Sequence, residues 1–508
     1  MQFTSKVHTI FKAFTDQQLL QHICAAAARP GRHYAGGAIS DIFNPVRLIC
    51  LVRGDKLMHL HIGLDDTDSA NGMCTTYAVT ELVTKLDFPI LLGYPRLVRL
   101  NPNIPWKTRG NGALAFTIGG SAETAFKIGE VSGRAVLASF DEGSEALDEL
   151  EVTERAAATI ESIATTEDEN TNPGLIVSVS RPPPSFYWRA VRYVVEREEA
   201  LSNCRAAGAN IREWKNGRGI IGAAAAVAWQ PGLRTYEIIT YREKARFGRS
   251  REVNEEDASL LSEKFPSTFN NYDSDTRHMC ISPASPCPVL FGIRGNDRSV
   301  LQDAMKSVNS EHIDRWLIFE SNQGTDDHIL RMTGDPVPFC SYLLTGEVKS
   351  LPETITGGHV FFELKCKTHD VKCAAFEETK GLRGIVRKLV PGDRVAVWGA
   401  YKAGSNGAAL NIEKVAILSL AKRLVKVGNP LCTECGRNME SVGKDKGYRC
   451  RRCRTTSKEP RVRESGCEIS TGLYSTTTSS RRHLSRPPEL MTPYEMEEIA
   501  NDWQENDN

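Results

Sequence analysis

Polar and apolar residues alternate along much of the chain between residues 336 and 420, and this pattern predicts a small all-β unit. The clearest alternating runs are Ser341 to Val348, His359 to Cys366 and Asp393 to Trp398, and Pro and Gly residues separate them at regular spacing. An OB-fold barrel fits this length and the glycine in the first strand. Barrels of this size also have purely structural roles, so the pattern alone leaves the ligand open.

A different pattern begins near residue 60, where a short apolar strand ends in three carboxylates, Asp65, Asp66 and Asp68. Residues Tyr77 to Leu86 follow with helical periodicity. Carboxylates at the end of a strand suit Mg²⁺ that bridges nucleotide phosphates, because hard cations prefer oxygen ligands. A turn whose Asp or Ser residues cap a helix is the alternative interpretation, and an isolated DDxD motif does not separate the two.

The segment from Pro95 to Gly112 predicts a rigid polar loop between strands that binds phosphate. Its basic side chains neutralise phosphate charge, and its glycines let backbone amides approach closely. The candidate residues are Lys107, Arg109, Gly110, Asn111 and Gly112. The chain has no Walker lysine motif, so bound ATP would need a different cradle.

A second glycine-rich loop matches GxGxxG and precedes the small-residue run from Ala223 to Trp229. The match is weak, and no suitably placed acidic residue supports a dinucleotide site. Two interpretations remain open: a substrate or phosphate loop, and close packing of an Ala-rich helix. The residues of the possible substrate loop are Asn216, Gly217, Arg218 and Gly219.

The chain has 508 residues, which predicts two to four domains. A hydrophobic fraction of 41% and a charged fraction of 25% argue against wholesale disorder and against a membrane protein. The longest apolar run, Gly219 to Trp229, is too short to cross a bilayer. Residues 1–57 lack the features of a secretory signal, so we expect a cytoplasmic protein without an obligate protein partner.

The net charge of zero hides a basic region near the C-terminal end. Lys422 to Arg463 contain thirteen Lys and Arg against four Asp and Glu. Two CxxC pairs in the same region have the spacing of a structural zinc ribbon, and the βαβ setting of redox CxxC pairs is missing. The predicted zinc ligands are Cys432, Cys435, Cys450 and Cys453. A basic ribbon directly after an OB-fold favours single-stranded nucleic acid or tRNA ends, and the candidate RNA contacts are Arg449, Arg451, Arg452 and Arg454.

The chain also carries a series of motifs in the order of one known family. These are GLDDTDSANGMCTTY, PRLVRLNPNIPWKTRGNGA, NTNPGL, NGRGIIGA, FPSTFNNYD, PCPVLFGIRG, RWLIFESNQGTDDH and the ribbon. On these stretches the chain resembles the archaeal TiaS family, the isoleucine-tRNA 2-agmatinylcytidine synthetases. Residues 1–57 lie outside the resemblance as an extension, and the segment Arg242 to Val253 departs from the family pattern, which leaves the role of that loop open.

The resemblance implies a multi-domain α+β fold. In chain order it consists of an extension (1–57), a kinase-like catalytic domain (58–178), a ferredoxin-like domain (179–335), an OB-fold (336–420), a zinc ribbon (428–458) and a tail (459–508). The tail ends in a sequence typical of a short capped helix at Thr492 to Glu495.

The implied reaction attaches agmatine, at the expense of ATP, to the wobble cytidine of isoleucine tRNA with a CAU anticodon. Phosphorylation makes the 2-oxygen a leaving group, and the amine then expels phosphate. The resemblance assigns Asp65, Asp66 and Asp68 to Mg²⁺ or to a general base, and Thr75 to autophosphorylation. Two alternatives are a tRNA-binding protein without catalysis and a related enzyme that uses another amine, because no readable motif specifies agmatine.

Overall fold

The structure is a computed structural model that describes residues 59–504, except 70–71, 87–89, 108–109, 368, 405–406 and 445. The described residues all lie within one compact unit, Gly54–Asn508. The predicted extension, residues 1–57, lies outside the described residues.

The described residues form 27 β-strands. In chain order they are β1 (Leu60–Asp65), β2 (Ile90–Leu92), β3 (Arg96–Arg99), β4 (Gly112–Ile118), β5 (Phe126–Val131), β6 (Arg134–Ser139), β7 (Gly174–Ser178), β8 (Asn210–Glu213), β9 (Thr235–Arg242), β10 (Thr268–Phe269), β11 (Tyr272–Asp273), β12 (His278–Met279), β13 (Val289–Gly295), β14 (Ile313–Ser321), β15 (Ile329–Arg331), β16 (Ser341–Val348), β17 (Glu353–Thr354), β18 (Val360–Lys365), β19 (Asp370–Ala375), β20 (Arg394–Gly404), β21 (Gly407–Ser419), β22 (Leu424–Gly428), β23 (Glu440–Ser441), β24 (Tyr448–Arg449), β25 (Thr456–Ser457), β26 (Arg461–Glu464) and β27 (Gly472–Ser475).

The α-helices lie mainly in the first two thirds of the described chain. They are α1 (Thr75–Lys85), α2 (Glu149–Ile163), α3 (Pro184–Arg192), α4 (Arg197–Ala206), α5 (Gly219–Ala228), α6 (Glu255–Lys264), α7 (Leu301–Lys306), α8 (Gly381–Val386) and α9 (Pro493–Gln504). None of these described helices has the length and apolar character that a bilayer span needs.

A twelve-stranded sheet joins the strands from β1 to β14, apart from the β11–β12 hairpin. Its order is β10-β13-β9-β14-β5-β6-β2-β4-β1-β7-β8, and β3 bridges β14 and β4. Strands from both sides of residue 178 therefore share one sheet. The sheet buries apolar residues on both faces because helices cover both of them.

Strand β1 shows how sequence alternation places the helices. Leu60, Ile62 and Leu64 are fully buried on one face, in a core that includes residues of α1 and α2. Gly63 faces α5 on the other side, where a Cβ would lie 2.7 Å from the Val227 side chain and still closer to the Ala223 carbonyl. Glycine at this position thus lets α5 pack directly on the strand.

The predicted β-barrel is present. Strands β16, β20, β21, β19 and β18 pair in that order, and β18 pairs back with β16, which closes the ring. The predicted strand from Ser341 to Val348 has those bounds in the structure. The third predicted strand is longer than expected, because β20 continues to Gly404 along its full pairing with β21.

The C-terminal segment, residues 472–490, runs back over the rest of the protein after the ribbon. It begins with β27, which pairs with β21 of the barrel. Its later part contacts the large sheet: Arg482 donates to Asn103 at 2.5 Å, and the His483 carbonyl accepts from Gly324 N–H at 2.8 Å. Helix α9 then begins with the expected capping box, in which Thr492 and Glu495 exchange hydrogen bonds.

Candidate active site and zinc centre

The predicted carboxylate cluster lies in a cavity of about 340 Å³ at the end of β1. Asp65 is the last residue of the strand, and Asp66 has a left-handed backbone with φ of 56° that turns the chain away from the sheet. The turn is fixed by a hydrogen bond from Asn172 N–H to the Asp66 carbonyl at 3.1 Å. All three carboxylate residues line the cavity.

The first two carboxylates carry unusual electrostatics. Burial, together with the charge of Asp66, raises the pKa of Asp65 well above its ordinary value. Burial also raises the pKa of Asp66 to about 6, although Arg218 opposes the shift. Two adjacent buried carboxylates resist ionisation unless a cation balances them. Carboxylate oxygens are the donors that hard divalent cations prefer, and the charge of such a cation would favour the ionised forms.

Asp68 and Thr75 are held together. Asp68 Oδ1 accepts from the backbone N–H of Thr75 at 2.5 Å and from its hydroxyl at 2.8 Å. Thr75 is the first residue of α1, so Asp68 satisfies a backbone amide that the helix leaves unpaired. The same carboxylate lies in the lining of the cavity. Asp68 thus caps the start of α1, as the alternative interpretation of the motif expects, and a metal-binding role for the same carboxylate stays a prediction.

The Ala-rich helix α5 begins at the same place. A Cβ on Gly222 would collide with the Asp65 carboxylate, at 2.6 Å from its Cγ, and a Cβ on Gly219 would lie 2.8 Å from the Asp65 carbonyl. These two glycines are therefore needed for close packing. The first turn of the helix lines the cavity through Ile221 and Gly222, and the Gly219 N–H already donates to the Asn172 carbonyl at 3.1 Å.

The GxGxxG loop divides into packing and lining residues. Asn216 and Arg218 line the cavity, whereas Gly217 has a φ of 71° and faces the Arg197–Glu213 pair. The Arg218 guanidinium lies 5.8 Å from the centre of the Trp106 ring and donates to the Trp106 carbonyl. The loop thereby meets the predicted phosphate loop across the cavity mouth.

The predicted phosphate loop supplies the facing wall through Lys107, Asn111 and Gly112. Asn111 has a φ of 45° and donates to the Asn101 carbonyl at 2.8 Å, which fixes the turn. Partial burial, with Arg482 and Lys402 nearby, lowers the pKa of Lys107 to about 8. Gly110 lines an adjacent cavity, and Arg109 lies outside the described residues.

The adjacent cavity, of about 310 Å³, is lined by some of the predicted residues and by others that were not proposed for the site from the sequence. Asp68 and Gly112 line both cavities, so the two meet there. Thr75, Cys74 and Gly110 line the second cavity from the N-terminal part of the chain. Its remaining polar walls come from distant strands and from the C-terminal segment, and they are Arg99, Glu237, Cys280, Arg294 and His483.

The sequence gives little indication that these residues belong to the site. Glu237 lies on β9 and Arg294 on β13, and the sequence of each strand is typical of a buried structural strand. They bond each other at 3.1 Å, and the Gln323 amide donates to Glu237 at 2.6 Å. An acidic residue in an otherwise apolar strand was the available signal.

The four predicted zinc ligands converge. The sulfurs of Cys432, Cys435, Cys450 and Cys453 all lie within 4.8 Å of one another. A tetrahedral site with Zn–S bonds of about 2.3 Å separates its sulfurs by about 3.8 Å. Cys435 Sγ and Cys450 Sγ are 3.6 Å apart, so the cluster fits a closed four-thiolate site.

The four predicted RNA-contacting arginines of the ribbon are exposed. Arg451 bonds Glu440 across the hairpin at 2.5 Å. The ribbon is joined to the barrel by β22 and β26, which pair antiparallel. Their residues are exposed or partly exposed along their whole length. The four arginines are thus exposed on the ribbon, which follows all lining residues of the carboxylate cavity in the sequence.

Comparison with known families gives three matches along the chain. They are described as the TiaS TCKD domain over residues 61–216, the TiaS FLD domain over residues 217–328 and the TiaS C-terminal zinc ribbon domain over residues 429–466. The carboxylate cavity takes residues from the first two of these ranges, since Arg218 and Gly222 lie in the second.

Relatives and solved structures match over most of the length. The isoleucine-tRNA 2-agmatinylcytidine synthetase TiaS of Methanocaldococcus jannaschii is 36% identical over 86% of this chain and 99% of its own. The TiaS of Archaeoglobus fulgidus is 38% identical over 85% of this chain and 97% of its own. The crystal structure of TiaS in complex with isoleucine tRNA and ATP matches with a TM-score of 0.74 and 37% identity. That of TiaS with isoleucine tRNA, AMPCPP and agmatine matches with 0.72 and 35%, and each covers 86% of this chain and 98% of the solved one.

Proposed function

This chain belongs to the TiaS family of isoleucine-tRNA 2-agmatinylcytidine synthetases, and from this membership we infer that it uses ATP to attach agmatine to its tRNA. The product is agmatidine at the wobble cytidine of isoleucine tRNA with a CAU anticodon, so that AUA codons are read. The protein is thus an ATP-dependent tRNA-modifying ligase.

One observation carries this assignment. A solved relative in complex with isoleucine tRNA, AMPCPP and agmatine matches 86% of this chain, and the match extends over almost all of the solved chain. The carboxylates and the polar loops of this protein share one cavity within that matched architecture. A tRNA-binding protein without catalysis would have no need for buried carboxylates with raised pKa values.

Asp65, Asp66 and Asp68 are proposed to hold Mg²⁺ at the nucleotide phosphates. The support is electrostatic. Burial raises the pKa values of Asp65 and Asp66, and the positive charge of Arg218 does not offset this effect. Mg²⁺ would neutralise the triphosphate and these carboxylates together. Asp68 would in addition orient Thr75, the proposed autophosphorylation site, through its two hydrogen bonds.

The facing loops are proposed to bind the triphosphate. Lys107, with Arg109 beside it in sequence, would neutralise phosphate charge, while Asn111, Gly110 and Gly112 would offer backbone amides. On the other loop, Asn216 and Arg218 would contact the substrate, while Gly217 and Gly219 give the backbone its shape.

We assign the domain roles by analogy with the TiaS family. Residues 58–178 are proposed as the kinase-like catalytic domain, 179–335 as the ferredoxin-like domain, 336–420 as the OB-fold and 428–458 as the ribbon. The barrel and ribbon would hold the acceptor end of the tRNA, with Arg449, Arg451, Arg452 and Arg454 on phosphates. Zinc would be structural, because four thiolates leave no open coordination position.

The test is nucleoside mass spectrometry of CAU-anticodon tRNA after incubation with the protein, ATP and one amine at a time. Agmatine should give a cytidine with the mass of agmatidine, and omission of ATP should abolish it. Spermidine, putrescine and lysine serve as competing amines. A tRNA in which the wobble cytidine is replaced by uridine is the matched control, and modification of that tRNA would contradict the proposed target.

A further inference from the structure

His483 comes from the C-terminal segment and reaches the second cavity, which it shares with Asp68 and Thr75. Its ring lies against Gly110, so close that a Cβ there would be 3.1 Å from Nε2. The residue is partly buried, and it is one of the residues that line the cavity. The histidine belongs to none of the motifs that the sequence singles out.

The backbone on both sides of His483 is fixed. Gly324 N–H donates to the His483 carbonyl at 2.8 Å, and Asp326 N–H donates to the Leu484 carbonyl at 2.9 Å. Leu484 is buried in a core cluster, and Arg482 bonds Asn103 and Glu413. The imidazole is thus held in place before any ligand arrives, which is what a reacting group requires.

The proposed reaction needs a proton acceptor in this region. A primary amine of the lysine type has an ordinary pKa near 10.4, so it arrives as an ammonium ion and has no lone pair for attack. The ammonium must lose one proton before the C–N bond forms. Since the two cavities join at Asp68 and Gly112, an acceptor in the second cavity lies next to the site of phosphoryl transfer.

Most other titratable groups that line this cavity are already engaged or have the wrong charge. Arg99 and Arg294 are cations, and Glu237 is buried and bonded to Arg294 and Gln323. The Asp68 carboxylate accepts twice from Thr75. Burial raises the pKa of the Cys280 thiol to about 11, which leaves it protonated near neutral pH.

The imidazole itself is kept neutral. The Arg99 charge and burial, with Arg294 and Lys107 further contributing, hold the pKa of His483 well below its usual range. In the free protein the ring nitrogen therefore carries a lone pair. A ring with so low a pKa is a poor acceptor for an ammonium proton in the free protein, so the transfer requires bound phosphorylated substrate, whose negative charge adds to that of Asp68 and Glu237 in the same cavity and raises the pKa of the ring.

We propose that the His483 imidazole accepts the proton that the incoming primary amine must lose before it attacks the phosphorylated cytidine. The neutral amine nitrogen then bonds to C2 while the C2–O bond to the phosphorylated oxygen breaks, and the bonding pair leaves with phosphate. The second nitrogen-bound proton leaves on that phosphate, so the products are the substituted cytidinium and hydrogen phosphate. This role rests on the proposed function.

The test separates the two half-reactions in His483→Gln, with His312→Gln as the control, because His312 is an exposed histidine paired with Glu243. Phosphate transfer from labelled ATP to tRNA without amine should persist in His483→Gln. Single-turnover agmatine incorporation should fall by about 10²-fold or more, as expected for loss of a general base. It should recover as pH rises towards the pKa of the amine, whereas the control behaves like wild type.

Hydroxylamine, a small amine that is already neutral at pH 7, should be incorporated by variant and wild type at similar rates. A shorter neutral variant, His483→Asn, repeats the comparison. If either variant fails to fold, the proposal can still be tested with the wild-type protein. Its agmatine incorporation should decline at acidic pH more steeply than its hydroxylamine incorporation. Equal loss of both half-reactions in a folded variant, or unchanged agmatine incorporation, would overturn the role of His483. Lack of agmatidine with wild type would instead overturn the proposed function.

Discussion

Asp68 Oδ1 accepts both the backbone N–H and the hydroxyl of Thr75, and Asp68 lines both cavities of the candidate site. The carboxylate belongs to the loop after β1, and the threonine begins α1. A change in the charge of Asp68 therefore alters a proposed metal ligand and the orientation of a hydroxyl at once, without removing buried apolar area.

We expect Asp68→Asn to lower agmatidine formation by about 10²-fold or more, because the amide lacks the negative charge that would bind the Mg²⁺ needed to stabilise the phosphoryl group. Affinity for tRNA should stay within about threefold of wild type, since the basic ribbon lies elsewhere in the chain. Product is measured by mass spectrometry and affinity by filter binding. Asp303→Asn, at an exposed position, is the control. Wild-type product formation by Asp68→Asn would contradict the site assignment.

Nucleotide affinity should depend on pH through Lys107. Its pKa of about 8 means that the free protein loses this positive charge as pH rises through 8, while phosphate groups stay fully ionised above pH 7. The Kd for ATP should therefore be flat between pH 7 and about 8 and then rise by up to about tenfold per pH unit.

Lys107→Arg provides the comparison, because a guanidinium stays charged over the whole range. Calorimetric titration with Mg²⁺ and ATP from about pH 7 to 9.5 measures both proteins across the range in which lysine loses its charge. The arginine variant should show little change with pH. Parallel pH profiles for the two proteins would exclude Lys107 as the titrating group.

We expect Gly222→Ala to impair both stability and activity. The added Cβ would collide with the Asp65 carboxylate, so α5 or the strand end must move. Overpacking of this kind costs about 1–3 kcal/mol of the free energy of unfolding. Gly232→Ala is the matched control, because a Cβ there meets no atom within 4 Å. Urea unfolding and product formation give the readouts, and equal behaviour of the two variants would contradict the close packing.

Replacement of Cys450 by Ser should unfold the ribbon and leave the other domains folded, because structural zinc stabilises its own small domain. Nucleotide affinity should persist. Affinity for tRNA should fall, and its dependence on salt should become shallower by roughly 0.7–0.9 per lost phosphate contact. A salt series of tRNA affinities measures this. Unchanged affinity and slope would show that the ribbon arginines do not touch RNA.

The local parts of the site could be predicted from the sequence because short-range chemistry determines them. Asp65, Asp66 and Asp68 follow directly after an apolar strand, and the four cysteines have a spacing that only metal ligation makes useful. The barrel strands were predictable for the same reason, since alternation with a period of two is visible within about eight residues.

The second cavity could not be predicted, because its walls depend on strand order. Strand β3 pairs with β14 in parallel, although Arg96 and its partner Glu320 lie far apart in the sequence. No local periodicity encodes such a pairing, which depends on the register of the whole sheet. Arg99 and Arg294 therefore meet only once the sheet is complete, and His483 joins them from still further along the chain.

The hydrogen bond between Arg482 and Asn103 spans 379 positions of sequence, and this has a consequence for biosynthesis. Domains fold largely as they emerge from the ribosome, from the N-terminal end onwards. Most buried residues of the large sheet and of the barrel precede residues 472–490 in the chain, although Leu484 of this segment completes one of the core clusters. A nascent chain that has emerged only as far as the ribbon thus has its carboxylates in place but lacks one wall of the neighbouring cavity. We therefore expect a chain that ends before residue 472 to lack the packing of Leu484 and the cavity wall at His483, and so to attach the amine slowly even where phosphate transfer persists.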